Sequence, residues 1–199
     1  TLDRLPEPVP DEYRTSKIVL RRIPAGTATL GSPPEELGHD TDEPRRRVTI
    51  SEDFYIGVFE VTPAQWRRVA GTWPSYFSLR DYRDIRPVET VSYHDIRGTR
   101  NDSGWPLNSD VTPGSFMGQL HARSSLLVDL PTEAEWEYAC RAGTQTSLNS
   151  GVNLQGLNRD VDLDLLARYR KAGTPFAVER EVGPGQGTAP VGWYHENAW

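Results

Sequence analysis

The chain has 199 residues, 28 acidic and 22 basic side chains, a net charge of −6, and one cysteine. This length is enough for one domain with its own hydrophobic core. The acidic balance argues against nucleic acid or an anionic membrane surface as the main partner. The single cysteine excludes an internal disulfide and any cysteine-based metal cluster within the chain.

Composition also restricts the fold. The 17 glycines and 16 prolines argue against long helices and a regular parallel sheet. The sequence therefore predicts an α+β fold, with short helices around small antiparallel sheets. It contains no run of about 18 apolar residues, so no membrane span is expected. No signal peptide is visible, but Thr1 is not an initiator methionine, so the compartment stays unknown.

The first part of the chain is predicted to form strands. Residues 1–16 contain three prolines and many charges and are interpreted as a loose lead-in. Strands are expected at 17–23 and 27–31, on either side of a Pro-Ala-Gly turn that favours a hairpin between them. Further strands are expected at 45–50 and 54–60. The second of these is rich in aromatic and β-branched residues, which favour strands.

Two polar stretches contain possible oxygen or imidazole ligands. The loop at 32–44 carries His39, Asp40, Asp42 and Glu43. A second cluster consists of Asn158, Asp160, Asp162 and Asp164. Neither has the spacing of a known metal motif, so solvated charge is the favoured interpretation of both.

Several helix starts carry a capping signal. Thr62 is followed by Pro63 and Gln65, which predicts a helix to about residue 70 with Trp66 and Val69 on one face. Another capped start is expected at 92–95, and a helix with Phe116, Met117 and Leu120 turned inward at 115–123. The aromatic rings between them, Trp73, Tyr76, Phe77 and Tyr82, are assigned to local core.

The clearest helix lies at 130–143, which reads LPTEAEWEYACRAG. Thr132 and Glu135 have the spacing of a capping box, and Gly143 supplies a stop. Trp136, Tyr138, Ala139 and Cys140 supply apolar surface for docking on a core. A scaffold helix is the favoured interpretation.

The remainder of the chain contains few signals. A short helical turn is predicted at 161–169 and an extended segment at 189–193, while 97–113 and 173–188 are interpreted as irregular. No nucleophile elbow, P-loop, dinucleotide fingerprint or His-Glu-x-x-His motif is present. Cys140 is interpreted as a buried structural thiol, with a cystine to a partner outside the chain or a nucleophile as alternatives.

Ordered motifs across residues 17–199 resemble the formylglycine-generating enzyme family, also called the sulfatase-modifying-factor domain. The matching segments read PAGTATLGS at 24–32, FYIGVFEVTPAQW at 54–66, PVETVSYHD at 87–95, LPTEAEWEYACRAG at 130–143 and TAPVGWYHENAW at 188–199.

The resemblance implies a C-type-lectin-like α+β fold for a domain spanning 17–199. It also implies a choice of activities. Some members are oxidoreductases that use copper, held by two cysteines, and oxygen to oxidise a sulfatase cysteine within a C-x-P-x-R sequence. Others are iron-dependent sulfoxide synthases, whose ligating histidines are not recognisable around His39, His94 or His121, and others are lectin-like binding proteins. A protein or peptide substrate is therefore an expected partner.

The chain stops before the segment that carries the family's catalytic cysteines, so this chain alone is expected to be inactive. In some members a cysteine at the position of Cys140 pairs with one near the C-terminus. The resemblance also implies a structural calcium ion bound by Asn197 and the carbonyl of Ala198. Because calcium takes about six to eight oxygens, most of its ligands would come from elsewhere.

Overall fold

The computed structural model describes residues 5–77, 82–98, 111–169 and 187–199. The helices are α1 (Glu12–Thr15), α2 (Pro63–Ala70), α3 (Tyr93–Arg97), α4 (Phe116–Ser124) and α5 (Glu133–Arg141), with a 3-10 helix at Leu163–Leu165. The strands are β1 (Leu20–Ile23), β2 (Gly26–Leu30), β3 (Arg46–Ile50) and β4 (Phe54–Gly57). Short helices and two-stranded sheets confirm the predicted mixed α+β fold.

The chain divides into two compact units, each built from separate stretches of sequence. The first contains Thr1–Val19, Gly57–Leu130 and Thr188–Val191. The second contains Leu20–Ile56, Pro131–Gly187 and Gly192–Trp199. Among the described residues, no helix has the length and apolar character needed to cross a bilayer.

The core of the first unit lies between α2 and α4. Trp66 and Phe116 stack with their ring centroids 4.5 Å apart, and Val69 and Met117 are buried beside them. Leu120 packs against this cluster. Because stacked aromatic rings bury large apolar areas, these contacts position both helices. The predicted inward faces of both helices are confirmed.

The N-cap of α2 also holds the start of the chain. The predicted capping box is formed, with Gln65 N–H donating to the Thr62 hydroxyl and Thr62 N–H donating to the Gln65 side chain. The Thr62 hydroxyl donates to the Arg14 carbonyl at 2.7 Å, and the Gln65 amide donates to the Lys17 carbonyl at 2.7 Å. The end of the predicted lead-in segment is thus in contact with α2, because these two side chains donate to the Arg14 and Tyr13 carbonyls of α1.

A buried ion pair anchors α3. The predicted capped start is formed by Ser92 and Asp95. At the other end of the helix, Arg97 is 6% exposed and donates two hydrogen bonds to Asp129, at 2.7 and 2.8 Å. It also donates to the Tyr93 hydroxyl at 2.6 Å. This pair fixes α3 to the segment that leads into residue 130.

The strands of the second unit pair differently from the prediction. β2 is antiparallel to β3, with Gly26 opposite Ile50 and Leu30 opposite Arg46. β1 pairs with β4, so the hairpin expected between β1 and β2 is wrong. At the connection, Pro24 has no N–H to donate and Ala25 N–H donates to the Asp53 carboxylate at 2.7 Å. Asp53 thus accepts the hydrogen bond that the turn offers, and β1 and β2 each pair with another strand.

Other predictions differ locally from the structure. Tyr76 is 78% exposed, so its assignment to local core is wrong. The segment at 189–193, predicted to be extended, turns at 191–192, where Gly192 has a φ of 72°. The irregular stretches predicted at 97–113 and 173–188 fall largely outside the described residues.

Candidate functional site

Helix α5 is the centre of the family-like sequence and of the second unit. Its predicted capping box is formed: Glu135 N–H donates to the Thr132 hydroxyl at 3.2 Å, and Thr132 N–H donates to the Glu135 carboxylate at 2.8 Å. Two of the free N–H groups at the helix start are satisfied in this way. Glu133 adds negative charge in the first turn, which the helix dipole favours.

Thr132→Ala is expected to lower the free energy of unfolding by about 0.5–2 kcal/mol, because it removes the hydroxyl that accepts from Glu135 N–H. Thr132→Ser keeps the hydroxyl and is the matched control. The measurement is chemical denaturation of the three proteins. An unchanged stability in the alanine variant would show that the cap contributes nothing.

Two side chains of α5 hold Gly31, the residue that follows β2. Sequence reasoning missed this contact. Gly31 N–H donates to the Glu137 carboxylate at 2.8 Å, and the Arg141 guanidinium donates to the Gly31 carbonyl at 3.0 Å. Arg141 also donates to Glu137 at 2.7 Å. Glu137 and Arg141 are four residues apart and therefore lie on one face of the helix. The two side chains thus form a clamp on Gly31, the residue that follows β2.

The end of α5 is capped by the predicted calcium residue. The Asn197 side-chain amide donates to the Ala139 carbonyl at 2.9 Å and to the Cys140 carbonyl at 3.1 Å. Its oxygen accepts from Trp199 N–H at 3.2 Å. Carbonyls in the last helical turn lack hydrogen-bond donors within the helix, and the Asn197 amide provides these donors. The observed role of Asn197 is therefore to close the helix end.

This arrangement does not by itself fit calcium. The Asn197 oxygen already accepts a hydrogen bond, and Ala198 can offer only its carbonyl. Within the described ranges, no group of three or more His, Cys, Asp or Glu side chains could hold a metal ion. Calcium needs about six to eight oxygens. Binding of calcium by Asn197 and Ala198 stays a prediction.

Cys140 is partly buried in the last turn of α5 and is a free thiol. Burial raises the pKa of its thiol above the ordinary value; the nearby Arg141 opposes this shift, and Glu137 adds to it. The C-terminal end of a helix also disfavours negative charge. Since the thiolate is the reactive form, this environment is that of an unreactive thiol.

Trp136 does not pack on the core. It is 58% exposed, whereas Ala139 is the buried residue of the helix. The expectation that Trp136 docks the helix is wrong; Glu137 and Arg141 contact Gly31, and the Tyr138 hydroxyl donates to the Pro24 carbonyl. Tyr55 and Trp193 of the same unit are also exposed, by 64% and 48%.

The acidic loop at 32–44 forms a closed polar network. Ser32 is buried; its hydroxyl donates to the Glu43 carboxylate at 2.9 Å and lies 2.6 Å from His39 Nδ1. Hydrogen bonds from Asp40 N–H and the Ser32 hydroxyl lower the pKa of Glu43. The group closes the loop and is not simply solvated charge.

Asp160 also departs from the solvated-turn prediction. It is 3% exposed, and its carboxylate accepts from Gln155 N–H at 2.6 Å and from Leu163 N–H at 2.9 Å. These two hydrogen bonds lower the pKa of Asp160. The side chain organises the turn before the 3-10 helix.

The four histidines serve separate local contacts. In the first unit, His94 Nδ1 lies 3.1 Å from the Gly98 carbonyl, and His121 Nε2 lies 3.1 Å from the Val128 nitrogen. In the second unit, His39 contacts Ser32, and the backbone N–H of His195 donates to Leu165.

Taken together, the described elements define a class of mixed α+β proteins with little regular structure, in which side chains cap helices and hold irregular segments. Residues 4–199 match the family described as the sulfatase-modifying factor enzyme 1-like domain. The chain belongs to this family.

Individual relatives agree with that assignment. The formylglycine-generating enzyme of Mus musculus is 28% identical over 203 residues, with 89% of this chain and 53% of the relative covered. The chaperone protein LppX of Paenibacillus barcinonensis is 32% identical over 126 residues, covering 54% of this chain and 43% of that protein. The chain thus spans about half the length of the curated relatives it matches.

A solved structure shows the same fold. PvdO from Pseudomonas aeruginosa is similar with a TM-score of 0.57 and 20% identity, over 90% of this chain and 64% of that chain. At this identity the likeness concerns the fold alone.

Proposed function

We propose that the intact protein is a metal-dependent oxidase acting on a protein cysteine, or a related oxygenase, and that these 199 residues supply scaffold and not the catalytic thiolates. Membership of the sulfatase-modifying factor family supports the first part, together with the similarity to formylglycine-generating enzymes. The environment of the Cys140 thiol supports the proposal that these residues do not supply the catalytic thiolates.

The environment of Cys140 is the observation that carries this proposal. The copper ion that the resemblance implies needs two thiolates, and the chain contains one cysteine. That cysteine lies at the C-terminal end of α5, with the pKa of its thiol raised by burial. Both features oppose the thiolate form that copper binding requires. The residues present therefore do not fit the copper group, and no oxidative step is assigned to Cys140.

A second candidate function is a non-catalytic, lectin-like module that binds a ligand or a protein. The exposed aromatic side chains of the second unit, Trp136, Tyr55 and Trp193, favour it. Large exposed rings are common at binding surfaces because they add apolar contact area. The C-type-lectin-like architecture is part of this proposal and is supported by the sparse regular structure. A cysteine pair near the C-terminus of the full gene product favours the oxidase, and its absence favours the binding module.

The proposal is tested by titrating copper(I) against a coloured chelator in the presence of the chain. The wild-type chain and a Cys140→Ala variant are expected to compete equally weakly, because neither offers a thiolate pair. A tight copper site in the wild-type chain that disappears in the variant would contradict this assignment of Cys140. Thermal melting of both proteins checks that the variant is folded.

A further inference from the structure

An open groove lies beside α2 in the first unit, away from that unit's core. It is lined by Ala64, Arg67, Arg68, Trp73 and Asp84, and has a volume of about 360 Å³. Ligand sites in proteins are typically clefts of about 300–1,000 Å³. The groove is therefore large enough for one or two side chains of a bound peptide.

Two cations line this groove. Arg67 and Arg68 are both exposed, and within the described part of the chain neither side chain has a hydrogen bond or an acidic partner. Their place in the last turn of α2 is favourable, since a helix C-terminus stabilises positive charge. That explains how the two cations are tolerated with no partner among the described residues.

The rest of the groove is held in place. The guanidinium of Arg83 lies 5.3 Å from the centre of the Trp73 ring, and its Nε lies 3.4 Å from the Asp84 carboxylate. Ala64 N–H donates to the Asp84 carbonyl at 3.3 Å, which ties this loop to the start of α2. Trp73 is half-buried and lines the groove, with Arg83 packed against its ring.

The charge of the groove is opposite to that of the chain. Arg67 and Arg68 outweigh Asp84, the carboxylate of the lining, which is itself paired with Arg83, whereas the protein has a net charge of −6. Guanidinium groups bind carboxylates through paired hydrogen bonds, and an aromatic face accepts an apolar side chain. The Asp84 carboxylate disfavours a compact ligand with two negative charges, since the carboxylate would repel both of those charges.

We infer that this groove binds a carboxylate-bearing peptide segment, with an acidic side chain on Arg67 and Arg68 and a neighbouring apolar side chain on Trp73. The inference does not rest on the proposed oxidase function. The C-x-P-x-R sequence of sulfatases carries a cation, so the ligand class differs from the substrate implied by the family resemblance.

The test measures binding of a short fluorescent peptide of Asp and Glu around a central Leu, with an Asn and Gln version as the uncharged control. The acidic peptide is expected to bind and to weaken with added salt. Arg67→Gln with Arg68→Gln should weaken binding about tenfold or more, because charge-assisted hydrogen bonds are lost.

Arg46→Gln with Arg47→Gln is the matched control, since this exposed arginine pair lies on β3, outside the groove. It removes the same charge and should leave binding unchanged. Equal losses in both double variants would mean general attraction to a cation and would overturn the inference. Absence of binding, or displacement of the peptide by inorganic phosphate as effectively as by unlabelled peptide, would overturn it as well.

Discussion

Arg97→Ala is expected to destabilise the protein by about 3–5 kcal/mol, because it leaves the carboxylate of Asp129 without its partner in a dry environment. The side chains of Arg97 and Asp129 are only 6% and 16% exposed, and two hydrogen bonds join them. The Tyr93 hydroxyl loses the donor that now contacts it at 2.6 Å. Denaturation by urea, followed by circular dichroism, measures the change.

An exposed ion pair provides the control for this prediction. Arg22 pairs with Asp53, but the Arg22 side chain is 62% exposed. Arg22→Ala should therefore cost less than about 1 kcal/mol, because water screens the charges. Replacing Arg97 by Met and Asp129 by Leu together should recover stability relative to Arg97→Ala, since no buried charge remains. A similar small loss in both single variants would show that burial does not govern the Arg97–Asp129 pair.

Gly31→Ala is the second substitution for which we expect a large effect, about 2–5 kcal/mol. Gly31 has a φ of +82°, a conformation that costs an L-residue about 1–2 kcal/mol. An added Cβ would also lie 2.5 Å from the Pro44 carbonyl oxygen and 2.7 Å from that of Glu43. The backbone cannot shift without disturbing the hydrogen bonds to Glu137 and Arg141, so overpacking adds about 1–3 kcal/mol.

Comparison with Gly151→Ala separates the conformational cost of the alanine from the cost of its close contacts. It has a φ of +89°, but a Cβ built there would meet nothing within 4 Å. Gly151→Ala should therefore show only the conformational cost of about 1–2 kcal/mol. Chemical denaturation of both variants gives the comparison. Equal losses at the two glycines would mean that the loop at Pro44 moves aside freely and that the clamp on Gly31 is weak.

Helices with local capping signals could be predicted from the sequence. Thr62 with Gln65, Ser92 with Asp95 and Thr132 with Glu135 each form the reciprocal bonds expected from their spacing. Such bonds involve residues within one turn, so they do not depend on the rest of the fold.

Strand pairing could not be predicted in the same way. The turn at Pro24 suggested a hairpin, but Asp53, far along the chain, satisfies the Ala25 N–H. The contacts of Glu137 and Arg141 with Gly31 are equally distant in sequence. Neighbouring residues contain no information on which of several short strands becomes the partner.

The exposure of Trp136 on α5 also could not be predicted from the neighbouring sequence. Trp136 is apolar and yet exposed, because the charged pair on the adjacent face holds the helix to β2. For Asn197, the family resemblance indicated an important residue, and the structure shows the hydrogen bonds that it makes to the end of α5. Its role in binding calcium stays a prediction.

The most direct test of the scaffold assignment is an oxidation assay with the 199-residue chain, copper and molecular oxygen. The substrate is a peptide with the C-x-P-x-R sequence, and the product aldehyde is detected by its reaction with a hydrazide. The expected result is no aldehyde above the level of copper without protein, because Cys140 is the single thiol and its environment disfavours the thiolate. Sustained turnover by the chain, abolished by Cys140→Ala, would contradict the proposal that these residues supply scaffold and not chemistry.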